Sequence, residues 1–317
     1  MTSSRTILEN LKNLNQFLGK FHQSKQSAYF EKLIAEVFSH VLYLPYFTSD
    51  NEDINTPHRL TWQGQNDPIS GAPRGKPDAI AYCSDFCLII EATLKTGANQ
   101  CSQEFAQSIR HRENFCSQTA IQQKDAIVLL ICTELHIDTY RSIRSSPRQE
   151  YKLIPIQVLE LVKILETSIL AFTMRHLELR LLLNGISNLV QESPSLDDFQ
   201  RNVDGLLANW QKEVLNGEKC AFLGVKSYEA ICQIGRTNVN AAEILSLLLN
   251  NSIVKRYFDI IHDKPTIPYI EESLIKQSLG VAIGKTTKDE LIFERVHSAD
   301  FKARGLRLIK AVEEVNG

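Results

Sequence analysis

The chain has 317 residues, 43% hydrophobic and 23% charged, enough apolar material for one large or two ordinary globular domains. A formal net charge of −2 excludes a global electrostatic pull toward polyanions, so any such contact has to come from a local basic patch. The seven cysteines, Cys83, Cys87, Cys101, Cys116, Cys132, Cys220 and Cys232, are odd in number and contain no CxxC pair, which argues against a zinc ribbon and for free thiols in a reducing compartment.

The first 25 residues alternate polar and apolar side chains at helical spacing, without the apolar run of a signal peptide or membrane span, and the expected location is the prokaryotic cytoplasm. Residues 27–43 place Phe30, Leu33, Ile34, Val37, Phe38 and Val41 three and four apart, the apolar stripe of one amphipathic helix. Residues 48–76, rich in Asn, Asp, Pro and Gly, read as a long surface loop with one short strand near Leu60–Trp62. Two strand-like runs follow, 77–83 and 86–94, separated only by Ser84 and Asp85, and predict a hairpin. The pattern then gives a helix at 100–118, a buried strand at 126–132, a helix at 134–145 and a strand at 151–157.

Beyond residue 156 the pattern is mostly helical. A break at 191–198 divides the chain into an expected first domain, 1–190, and a helical second, 191–317, for DNA recognition or assembly. Within the second, SYEAICQIGRTNVNAAEILSLLLNN has two helical stretches joined through IGRTN, a shape shared by helix-turn-helix units and by ordinary helical domains.

The hairpin carries the chemistry. A two-residue turn pairs Cys83 with Phe86 and sets Asp78 opposite Glu91. Directly opposed residues have Cβ atoms about 4.5–5.5 Å apart, where two carboxylates repel unless a cation neutralises them. Alternation sends Glu91, Thr93 and Lys95 to one face and Ile90, Ala92 and Leu94 to the core face. On the next helix Phe105, Ile109 and Cys116 form the expected inward stripe. Glu104 and His111 stand seven residues apart on a bordering face, with Gln100 one turn earlier.

The string KPDAIAYCSDFCLIIEATLKTG, followed by Glu104 and by IRH, resembles the catalytic core of AlwI-like type IIS restriction endonucleases and related nicking endonucleases. The intervals match: thirteen residues from Asp78 to Glu91, thirteen to Glu104, seven to His111. The resemblance, over about residues 27–157, implies an α/β PD-(D/E)xK restriction-endonuclease-like core with a mostly α-helical C-terminal half, and a Mg²⁺-dependent DNA endonuclease. Asp78 and Glu91 would bind Mg²⁺, Glu104 and His111 would complete the site, and Glu31 or Glu36 would supply a first-helix acid. Thr93, Lys95 and Gln100 are accessory positions; Thr93 stands where the commoner motif has lysine. The implied partners are double-stranded DNA, a cognate methyltransferase and a second copy or second nuclease subunit, with no membrane.

In the familiar type IIS enzymes the recognition domain comes first, whereas here the nuclease-like part leads, so either the order is atypical or another chain recognises the target. DNA contacts are expected from His58, Arg59 and Arg74 and from Lys302, Arg304, Arg307 and Lys310. Two other functions share these residues: a non-catalytic DNA-binding or assembly subunit that keeps the nuclease fold, and a repair or resolvase-type nuclease.

Overall fold

The computed structural model describes residues 2–119, 121–122, 125–146, 153–171, 176–235, 238–276, 280–285 and 291–295. Two compact units are formed, residues 1–169 with 174–211, and residues 170–173 with 212–317.

The first unit opens with helices α1 (Ser4–Lys12) and α2 (Leu14–Leu18) and the long helix α3 (Gln26–Val41). The apolar stripe read from the sequence is what α3 buries: Phe30, Leu33, Ile34, Val37, Phe38 and Val41 are all in the core. The expected long loop is more ordered than its composition suggests. β1 (Tyr46–Thr48) runs into it, and it contains β2 (Arg59–Trp62) and a small hairpin of β3 (Gln65–Asn66) and β4 (Ile69–Ser70). Two- and three-residue strands are too short to show alternation, which is why only β2 was legible.

Next come β5 (Ala79–Tyr82), β6 (Cys87–Thr93), α4 (Ala106–Gln118), β7 (Ala126–Cys132), α5 (Ile137–Ser145) and β8 (Leu153–Gln157). A six-stranded sheet runs β1-β2-β5-β6-β7-β8. The β5–β6 hairpin is antiparallel, with Ala79 opposite Ile90 and Tyr82 opposite Cys87, the register the two-residue turn demands. β6, β7 and β8 are parallel. Every residue of β6 and β7 is buried, as expected for strands covered on both faces. α3 packs on β2, β5 and β6, and α4 on β6 and β7. These two helices therefore flank the strand that carries Glu91.

The inward face of α4 corrects the sequence reading. Phe105, Ile109 and Cys116 are only half-buried, whereas Gln100, Glu104, Ser108, His111, Arg112 and Phe115 are buried. The helix turns a polar face inward because Glu104 and His111 meet charged partners there. Helices α6 (Val158–Ala171), α7 (His176–Glu192) and the 39-residue α8 (Leu196–Ile234) follow.

The second unit builds its own core around Phe222, Ile231, Val239, Ile244, Val254, Tyr257 and Ile270. It contains β9 (Asn238–Asn240), α9 (Ala241–Leu249), α10 (Ser252–Ile260), α11 (Ile267–Lys276), β10 (Gly280–Lys285) and β11 (Leu291–Arg295), with sheet order β10-β11-β9. The helix-turn-helix shape is not formed as two short helices. The first stretch is the end of α8, and β9 stands before α9, which begins on an Asn240–Glu243 capping box. Among the described residues no helix is long and apolar enough to cross a membrane.

Candidate active site

Glu91 sits within β6, 2% exposed, with the apolar Leu130 beside it on β7. Asp78 immediately precedes β5 and continues its register to the position opposite Glu91. The backbone carbonyl of Asp78 accepts from Gln63 N–H at 2.9 Å, and its Oδ2 accepts from Ala92 N–H at 2.7 Å. The aspartate is thus tied to both neighbouring strands.

Burial pushes both carboxyls well above the usual carboxylate range, and repulsion adds to it. Asp78 feels Glu91, Glu31 and Glu104, while Glu91 feels Glu104 and Glu31. The one hydrogen bond that favours ionised Asp78, from Ala92, does not offset these effects. An uncompensated acidic cluster inside a sheet is costly, so the arrangement calls for a cation.

Glu31, on the buried face of α3, joins this cluster. Its carboxylate accepts from Ala72 N–H at 3.1 Å and from Ser27 Oγ at 3.2 Å. Burial raises its pKa, with Glu104 adding repulsion. Gly71 comes so close that a Cβ there would lie 2.6 Å from Glu31 Oε2, so any other residue would displace the Glu31 carboxylate from this position. Glu36 instead faces a separate cavity with Thr2, Lys32, His40 and Tyr46. Between the two acids considered for the first helix, only Glu31 repels Asp78 and Glu91 strongly enough to shift them.

A π-helical stretch, Gln100–Phe105, leads into α4; such widened turns are frequent at functional sites. Glu104 Oε1 lies 2.6 Å from Lys95 Nζ. One turn-pair along, the His111 ring is 2.7 Å from Glu91 Oε1 through Nδ1, and its buried Nε2 has no hydrogen-bond partner among the described residues. Burial lowers the His111 pKa, which favours a neutral ring joined to Glu91 through Nδ1.

The accessory positions take different places. Thr93 is buried and its Oγ1 accepts from Lys95 N–H at 3.0 Å, which sets the start of the segment after β6. Gln100 is wholly buried and spends its amide on backbone: Nε2 donates to Lys95 and Glu134 carbonyls at 3.1 and 2.8 Å, and Oε1 accepts from His136 N–H at 2.8 Å. It ties the Lys95 segment to the end of β7.

Arg59 is engaged within the fold, pairing with Glu52 at 2.9 Å and stacking 4.1 Å over the Tyr82 ring. His58 and Arg74 are exposed. Lys302, Arg304, Arg307 and Lys310 lie outside the described residues.

Among the described residues no group of three or more His, Cys, Asp or Glu is assembled in the geometry of a preformed metal site. Mg²⁺ asks for less: it binds through one or two carboxylates and keeps several waters. The opposed pair Asp78 and Glu91 offers two carboxylates of the required hard-oxygen chemistry.

The model of the AlwI restriction endonuclease family matches residues 2–164. A solved structure, the small subunit of the heterodimeric restriction endonuclease R.BspD6I, is similar at 18% identity and a TM-score of 0.48, over 65% of this chain and 98% of that one. No curated protein matches.

Proposed function

This chain belongs to the AlwI restriction endonuclease family, and from that premise we propose that it is a Mg²⁺-dependent DNA endonuclease with a PD-(D/E)xK-type core, acting as a restriction endonuclease or a subunit of one. The observation that carries the reading is the opposition of Asp78 and Glu91 in the buried hairpin, both with pKa values raised by burial and by each other's neighbourhood of acids.

Hydrolysis adds water oxygen to phosphorus, breaks the P–O3′ bond and returns a proton to the departing oxygen. Mg²⁺ would supply positive charge beside the scissile phosphate and make a water more acidic. Asp78 and Glu91 would hold it. Ala92 N–H orients Asp78, and the His111 ring orients Glu91, as partners behind metal ligands generally do. Glu31 places a further carboxylate at the site, fixed by Ala72 and Ser27. Lys95, held by Glu104, supplies an ammonium just beyond the end of the strand that bears Glu91, two positions past the common place of that lysine. Its role is to offset charge growing on the phosphoryl oxygens.

Double-stranded DNA as substrate, a cognate methyltransferase and a second copy or second nuclease subunit as partners belong to the same proposal. Incubating the purified chain with plasmid in Mg²⁺ or in EDTA tests it. Discrete or nicked products only with Mg²⁺ are expected, and intact supercoiled plasmid with every divalent cation and a range of target sequences would overturn it.

A further inference from the structure

The segment between β4 and β5 is fixed at both ends to the acidic cluster. At one end Ala72 N–H binds the Glu31 carboxylate, and Gly71 makes the approach close enough. At the other, Asp78 is bound to Gln63 by its carbonyl and to Ala92 by its side chain. The β3–β4 hairpin before it is pinned to α3, by Lys25 Nζ on the Ile69 carbonyl at 2.8 Å and Lys32 Nζ on Asn66 Oδ1 at 2.8 Å.

Between these anchors the chain makes a tight turn. Lys76 N–H donates to the Pro73 carbonyl at 3.1 Å, and Gly75 takes φ +89°, the left-handed position that the third residue of a type II turn requires. Pro73, Arg74, Gly75 and Lys76 are exposed, and among the described residues neither Arg74 nor Lys76 makes an ion pair or side-chain hydrogen bond. Lys76 is two residues from Asp78 and Arg74 two from Ala72, so each Cα lies within about 7 Å of a residue that touches the site.

We propose that the Pro73–Lys76 turn is a phosphate clamp, in which Arg74 and Lys76 hold the DNA backbone beside the scissile bond. This rests on the nuclease reading. Duplex DNA brings one negative charge per about 1.7 Å of axis toward a site that already contains four neighbouring carboxylates. A chain of net charge −2 offers no general attraction, so the offset has to be local. Arg59 is committed to Glu52, and Lys95, held by Glu104, supplies its one cation to the scissile phosphate and none to the flanking backbone. The two unpartnered cations on the turn are held by the same contacts that place Glu31 and Asp78, so binding there sets the backbone in register with the carboxylates. Arg74 suits a bidentate phosphate contact and Lys76 a point contact.

The test is anisotropy of a fluorescein-labelled mixed-sequence duplex binding to the full chain, with Ca²⁺ in place of Mg²⁺, over a salt series. Each phosphate contact contributes roughly 0.9 to the slope of log K against log salt. Arg74→Ala and Lys76→Ala are each expected to lower the slope by about 1 and the double variant by about 2. The charge-keeping swap Arg74→Lys with Lys76→Arg is expected to retain it. An unchanged slope in the double variant, or no binding by the wild-type chain at low salt, would overturn the clamp. Mg²⁺-dependent plasmid cleavage is read separately: cleavage with an unchanged slope removes the clamp alone, and lost slope without any cleavage removes the nuclease reading while retaining the clamp.

Discussion

His111 Nδ1 and Glu91 Oε1 stand 2.7 Å apart in a buried pocket, with the imidazole raised by α4 onto the centre of β6. Burial acts on the two partners in opposite directions, raising the carboxyl and lowering the imidazole, so both favour their neutral forms; whenever Glu91 ionises, the ring's N–H is the donor that orients it. His111→Ala removes that donor. We expect single-turnover cleavage and Mg²⁺ affinity to fall by about 10–100-fold, the usual loss for a residue behind a metal ligand. His111→Asn, whose amide N–H lies near the place of Nδ1, should recover part of it. Mg²⁺ titrations of the cleavage rate give the measurement, and equal metal dependence in His111→Ala and wild type would remove the positioning role.

The pH dependence of stability follows from Asp78 and Glu91. Their folded carboxyls titrate well above the ordinary values of 3.8 and 4.5. Above those values the unfolded chain has released protons that the folded chain still holds. The associated stability is therefore complete in acid and lost as pH rises through the folded pKa values. Asp78→Asn and Glu91→Gln should abolish cleavage, yet melt higher than wild type at neutral pH without metal, by roughly 2–4 °C per kcal/mol recovered. Mg²⁺ should raise the wild-type melting temperature and leave the variants nearly unchanged. Thermal melts across pH decide this; parallel profiles for wild type and Asp78→Asn would show that the pair carries no such burden.

The hairpin was legible because period-two alternation and a two-residue turn leave one register, which by itself sets Asp78 opposite Glu91. α3 was legible for a similar reason, its apolar positions having only one face to bury. α4 was not. Its buried face, with that of the π-helical stretch leading into it, carries Gln100, Glu104, Ser108 and His111, and hydrophobic periodicity points the wrong way wherever a helix serves a polar site. The contacts of Gly71 and Ala72 with Glu31 also left no pattern in the sequence, because a backbone amide reaching a side chain 41 positions away is a product of the fold. The only available signal was the glycine in ISGAP, which could have been any turn.

Glu160 gives a second titration away from the site. It lies in the first turn of α6, 5% exposed, and burial pushes its carboxyl up to about 7 against compensating hydrogen bonds from the Gln157 side chain and from Gln157 N–H, the latter at 2.7 Å. Its contribution is again complete below the ordinary value of 4.5 and lost as pH rises to about 7. Keeping it ionised in the folded chain costs on the order of 3 kcal/mol. Glu160→Gln retains the acceptor without the charge. Denaturant midpoints should agree in acid and favour the variant above neutrality, and a variant weaker than wild type at alkaline pH would count against this assignment.

Lys95 and Thr93 test whether the displaced lysine works from its new position. Lys95 is 48% exposed in its side chain and pairs with Glu104, so the ion pair itself should matter little to stability, within about 1 kcal/mol. Its ammonium, just beyond β6, is the charge assigned to the phosphoryl oxygens, and losing such a donor typically costs about 10²–10³ in rate. Lys95→Met should show that loss with an almost unchanged melting temperature. The exchange Thr93→Lys with Lys95→Thr, which restores the common spacing, should not rescue it. Thr93 is 3% exposed and its hydroxyl already caps Lys95 N–H, so a lysine there would bury its ammonium among core residues. Cleavage by Lys95→Met at the wild-type rate, or by the exchange at a higher rate than Lys95→Met, would mean that the cation acts from elsewhere or that the strand can shift to present it.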